Sequence, residues 1–133
     1  MIRIAFTSSD GRCVDEHFGK AQSFSIWQLD AETSECVGTV SADADTDDIE
    51  DKILRRAKAV EGCSILCTTE IGGPAAAKLV ARRIHPMKTQ VGTTIDEVVL
   101  RLQDVLRHRT PPWLRKALRA SSTRSTTGGR GPV

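Results

Sequence analysis

Cys13 and His17 stand four residues apart in the run Ser8-Ser9-Asp10-Gly11-Arg12-Cys13-Val14-Asp15-Glu16-His17-Phe18-Gly19. A thiolate and an imidazole both ligate transition metals, so the pair could hold such an ion or the edge of an iron–sulfur cluster. Two donors do not close the four-ligand cage of a structural metal site. The spacing therefore points to a shared or loosely held metal group, or to a loop in which neither side chain has that role.

A second run, Glu70-Ile71-Gly72-Gly73-Pro74, carries glycines that let a ligand approach the backbone closely. The amides that open a helix at Pro74 would favour an anion. A turn and a helix start account for the same residues equally well. Cys67 lies in a mostly apolar stretch and reads first as a small core residue, second as a group facing a crevice. Cys63 and Cys67 would share one face of a strand, poor geometry for a redox pair and not a zinc-knuckle spacing.

Asp10, Asp15, Glu16 and Glu70 could together gather a hard divalent cation, which makes a divalent-metal-dependent nuclease the enzymatic alternative. Against it, the basic residues lack interleaved aromatics for a nucleic-acid platform. The chain has no G-x-S-x-G, no H-E-x-x-H and no phosphate loop ending in Gly-Lys-Ser/Thr. His85 and His108, each just ahead of a proline, read as structural or exposed, and Trp27 as a hydrophobic anchor.

These candidates need a frame to position them. A chain of 133 residues, 39% hydrophobic and 27% charged, fits one globular domain with a real core. No apolar run approaches the roughly 20 residues that span a bilayer. The N-terminus is strand-like at once and has no signal-peptide core, so a cytoplasmic protein with free thiols is expected. The net charge of +2 is unevenly spread. Asp43, Asp45, Asp47, Asp48, Glu50 and Asp51 form an acidic stretch, whereas no acid follows Arg107.

Residues 2–7 alternate apolar and polar and predict a strand; residues 23–41 predict a hairpin turning at Asp30–Ser34. Asp48 is expected to cap a helix with the stripe Ile49, Ile53, Leu54, Ala57 and Val60, stopped by Gly62. A strand over Cys63–Thr68, a helix from Pro74 to Arg82 and a strand over 84–91 follow, with Pro86 marking an edge. Thr94 and Glu97 form a capping box for a last helix, ended by Pro111-Pro112. Trp113, Leu114 and Leu118 would return to the body, and residues 120–133 read as a disordered tail. The order βββαβαβα predicts a single-domain α/β fold, a mixed β-sheet flanked by helices. Its crevice would lie where the first strand and the Cys63–Thr68 strand end side by side.

The opening Ile2-Arg3-Ile4-Ala5-Phe6-Thr7-Ser8-Ser9-Asp10-Gly11, the run Val14–Gly19 and Glu70–Ala77 together resemble the nitrogenase iron–molybdenum cofactor biosynthesis family. Pro111–Leu118 extends the resemblance, which covers about residues 1–119. It implies a ribonuclease-H-like domain that is not an enzyme but a carrier. Such a carrier accepts the iron–sulfur precursor made by NifB and passes it to the NifEN scaffold, with the mature cofactor as a further cargo. Neither nucleic acid nor membrane is an implied partner. His17 occupies the family's His-Phe-Gly position and inherits its cluster-binding role, with Cys13 or Cys67 as a second metal contact. Gly72, Gly73, Arg12 and Lys20, with Lys78, would complete the cofactor contacts by compensating the charge of an anionic cluster. The chain lacks the Cys-x-x-x-Cys-x-x-Cys signature of the radical enzyme of this pathway.

Overall fold

The computed structural model describes residues 1–42, 45–108 and 112–115. The alternating N-terminal segment forms β1 (Ile2–Thr7), and a two-residue strand, β2 (Cys13–Val14), lies within the loop that follows. A 3-10 turn at Phe18–Lys20 leads into the hairpin of β3 (Ser23–Leu29) and β4 (Ser34–Ser41). Then come α1 (Ile49–Ala59), β5 (Ile65–Thr68), α2 (Gly73–Ala81) and β6 (His85–Lys88). A second two-residue strand, β7 (Thr93–Thr94), runs directly into α3 (Ile95–Arg107).

Local chemistry sets the helix starts. The Asp48 carboxylate accepts from the Glu50 and Asp51 amides, and the Thr94 hydroxyl accepts from the Glu97 amide at 3.1 Å. Each satisfies a donor that the helix itself leaves unpaired. Pro74 sits in the first turn of α2, where its missing N–H costs nothing. Gly62 takes a φ of +96° just beyond α1, as a helix stop requires. The expected stripe of α1 holds for Ala57 and Val60, but Ile49 is 73% exposed because it opens the helix on the solvent side.

Five strands form one mixed sheet in the order β4-β3-β1-β5-β6. β1 lies at its centre, antiparallel to β3 and parallel to β5, with Ile4 opposite Trp27 on one side and Phe6 beside Cys67 on the other. The five long strands and three helices follow the expected βββαβαβα order; the β2–β7 pair was not anticipated. β6 is a true edge strand, shorter than the expected 84–91.

Each face of the sheet buries its own core. Ile2, Ile4, Phe6, Ile65 and Cys67 pack with Val98, Val99 and Leu102 of α3. Ala5, Phe24, Ile26 and Leu66 pack with residues of α1 and α2, among them Ala57 and Leu79. Cys63 belongs to this second core, so Cys63 and Cys67 lie on opposite sides of the sheet. The shared face expected of them fails because Cys63 precedes β5, in a turn closed by its amide on the Val60 carbonyl. The return of the C-terminal segment is observed: Leu114 is fully buried against α3 and the sheet, and Trp113 stacks on His85 at 4.6 Å. Leu118 and the 120–133 tail lie outside the described residues. No helix among the described residues is long and apolar enough to cross a membrane.

Candidate functional site

The loop after β1 is shaped by its own polar groups. The Asp10 carboxylate accepts from the amides of Arg12 (2.8 Å) and Cys13 (3.0 Å) and from the Ser8 hydroxyl (3.2 Å). Those bonds, the Arg12 amide first, hold its pKa below the usual carboxylate range. Gly11 completes the turn at a φ of +77°, a conformation that side chains disfavour. Beyond the turn, β2 pairs with β7, setting Cys13 opposite Thr94, while the Ile95 amide donates to the Arg12 carbonyl at 2.8 Å. Cys13 is thereby fixed, half-buried, at the start of α3.

The next stretch is held harder still. The Glu16 carbonyl accepts from the Thr7 hydroxyl (2.8 Å), the Thr69 hydroxyl (2.8 Å), the Thr68 hydroxyl (3.1 Å) and the Thr69 amide (3.3 Å). Two residues on, the Phe18 amide donates to the Glu70 carbonyl at 2.9 Å, and the Phe18 ring is fully buried near Phe24. His17 itself bridges in parallel register to Glu70 and is exposed. From α1, the buried Arg56 donates through Nε to the Ala21 carbonyl at 2.9 Å and tethers the far end of the loop. Burial, then Asp15, pushes the Glu16 carboxyl upward in pKa, and the Arg56 charge pulls it back.

The His17 loop and the Glu70–Gly73 turn meet at the ends of β1 and β5, as the strand order implies. Gly72 is the N-cap of α2, and neither it nor Gly73 is exempted from a side chain by crowding or by positive φ. An added Cβ on Gly73 would meet nothing within 4 Å. Gly72 and Gly73 are exposed, and so are Arg12, Lys20 and Lys78 on the same loops and helix.

Cys67 does not join this group. Its side chain is fully buried in the α3-facing core, and burial alone pushes its thiol up to about 12. Nor do the carboxylates converge. Asp10 is spent on its turn, Asp15 accepts from the Ser9 amide at 2.9 Å, and Glu70 pairs with Lys88 at 3.3 Å. Among the described residues no three or more His, Cys, Asp or Glu side chains are grouped to hold a metal ion. Thr68 is expected from the sequence on the loop that meets the end of the first strand, whereas Thr7, Thr69 and Arg56 are not legible there as site residues. The clustering of three threonines at strand ends was their sole trace.

Residues 1–105 match the family described as Dinitrogenase iron-molybdenum cofactor. Protein NifX of Sinorhizobium fredii is 35% identical over 124 residues, spanning 88% of this chain and 78% of that protein. Protein NifX of Herbaspirillum seropedicae is 36% identical over 125 residues, spanning 92% and 86%. Protein NifY of Klebsiella pneumoniae is 40% identical over 114 residues, or 86% of this chain and 49% of that longer protein. The crystal structure of PH0822 shares the fold, with a TM-score of 0.55 at 17% identity over 78% of this chain and 88% of that one.

Proposed function

Because this chain belongs to the dinitrogenase iron–molybdenum cofactor family, we propose that it is a carrier rather than an enzyme. Its cargo is a preassembled iron–sulfur precursor of the nitrogenase cofactor, taken from NifB and released to the NifEN scaffold; the mature cofactor is a second cargo. The observation that carries this reading is His17, an exposed imidazole on a backbone pinned at both neighbouring residues. An imidazole is a competent iron ligand, and a single one leaves the cargo exchangeable.

Around it the chemistry suits an anion. Arg12, Lys20 and Lys78 supply positive charge, and the open amides at Gly72 and Gly73 begin a helix whose dipole favours negative charge. Cys13 is the second donor, on β2; Cys67 is left out because its sulfur is sealed in the core. Cys13, Cys36 and Cys67 carry free thiols, which supports a reducing, cytoplasmic setting. The sheet order, with an antiparallel strand beside a central β1, supports a ribonuclease-H-like assignment for a carrier domain of residues 1–119.

The test is anaerobic mixing of the purified chain with the NifB-derived precursor, followed by gel filtration. Iron and cluster absorption should travel with the protein and fall sharply for His17→Ala. Well-folded wild-type protein that retains no iron would overturn the proposal.

A further inference from the structure

Four donors lie within hydrogen-bond reach of the Glu16 carbonyl, three of them threonine hydroxyls, and the Thr68 hydroxyl shares its proton between this oxygen and the Glu70 carbonyl at 3.2 Å. Thr7 and Thr68 are wholly buried and Thr69 is 7% exposed. A buried hydroxyl is costly unless it is bonded, so all three are committed to this neighbourhood. Thr7 and Thr68 also lie 3.0 Å apart through their Oγ1 atoms, which joins the ends of β1 and β5 into one polar knot. Threonine is stiff about χ1, so the knot inherits the rigidity of the two central strands.

The Glu16–His17 peptide is thus fixed by its carbonyl, and the next peptide is fixed by the Phe18 amide on Glu70. His17 lies between them at φ −78° and ψ 145°, so its Cα–Cβ bond leaves a backbone held by the strand ends on both sides. A cluster held by one imidazole would otherwise be free to swing on its ligand. Groups behind a metal ligand govern its orientation and commonly tune affinity.

We propose that Thr7, Thr68 and Thr69 are positioning residues that aim His17 at its cargo, an inference that rests on the carrier reading of His17. Thr69→Val keeps the side-chain shape and deletes the hydroxyl; Thr69→Ser keeps the hydroxyl. The probe is isolated iron–molybdenum cofactor, added anaerobically to the full chain. Two quantities are read: the electron paramagnetic resonance line of the bound cluster and, in cluster-free protein, hydrogen exchange of the Phe18 amide.

Thr69→Val should broaden the line into more than one component, and Phe18 exchange should quicken about fivefold, the worth of one net hydrogen bond. Thr69→Ser should restore both. A Thr69→Val protein with the wild-type line and wild-type exchange overturns the positioning role. If Thr69→Val does not fold, Thr7→Val is judged by the same two readouts and the same outcomes. His17→Ala separates the two ideas. If it holds the cluster as wild type does, the carrier reading of His17 fails and the positioning role fails with it. If it loses the cluster while Thr69→Val stays unchanged, the positioning role alone fails.

Discussion

The α3 side of the sheet and the loop at the ends of β1 and β5 use the same strands but opposite materials. Against α3, Ile4, Phe6, Ile65 and Cys67 meet Val98, Val99 and Leu102 with no polar group needed to fix them. At the strand ends, Glu16, His17 and Phe18 are held by hydroxyls, amides and carbonyls at 2.8 to 3.3 Å. Apolar packing is non-directional and tolerates repacking. Hydrogen bonds fix direction within a narrow geometric range. One region packs without direction and the other fixes the backbone on either side of His17, and the border between them runs through the single residue step from Cys67 to Thr68.

That contrast can be broken experimentally, most sharply with the two cysteines. Native alkylation followed by peptide-resolved mass spectrometry should label Cys13 directly. Cys67, sealed and with its thiol pushed up to about 12, should wait for unfolding and react more than about a thousandfold more slowly. Comparable rates would mean that the α3 core opens locally.

The next effect is on stability. Phe6→Ala should cost about 3–5 kcal/mol in urea unfolding, since Phe6 is fully buried. If His17 carries the cargo as proposed, the fraction still folded should retain cluster as wild type does, because the backbone around His17 is held by hydrogen bonds at the strand ends and not by Phe6. A smaller loss, about 1 kcal/mol, is expected of Thr94→Ala, which removes the cap of α3. It should also loosen the pairing of Cys13 with Thr94, as read by exchange of the neighbouring Ile95 amide, which donates to the Arg12 carbonyl.

The smallest effect is a pH dependence confined to the loop. Asp10 has a folded pKa depressed below its ordinary value of 3.8, chiefly by the Arg12 and Cys13 amides. Its contribution is therefore fully present above about 3.8 and is lost as pH falls through the lower folded value. Protection of the Arg12 and Cys13 amides should drop across that acid window in the wild type. The drop should vanish in Asp10→Asn.

How much of this could be read from sequence follows the same division. β1, the 23–41 hairpin and all three helices announce themselves by period and by caps such as Asp48 and Thr94, because local chemistry suffices there. The β2–β7 pair is invisible, since two residues have no period and their partner is eighty positions away. Cys67 was ambiguous because its direction depends on strand parity, settled only by Phe6 beside it in the parallel register. The threonine knot was hidden in plain composition: β-branched residues near a strand end read as more strand. Only the pairing of β1 with β5 brings Thr7 to Thr68 across 61 residues.

The two margins of the sheet differ. β4 presents eight residues along its outer margin, and no strand among the described residues pairs there. β6 presents four, and the amides of His85 and of Thr89 just beyond the strand already turn inward to Ser64 and Thr68. Strand alternation then turns position 86 outward, where proline has no N–H to offer. Among the described residues, then, β4 leaves its whole outer margin without a strand partner, whereas the outer margin of β6 is short and interrupted by Pro86. Because β3 separates β4 from β1, the β4 margin lies two strands away from the strand end that holds the His17 loop.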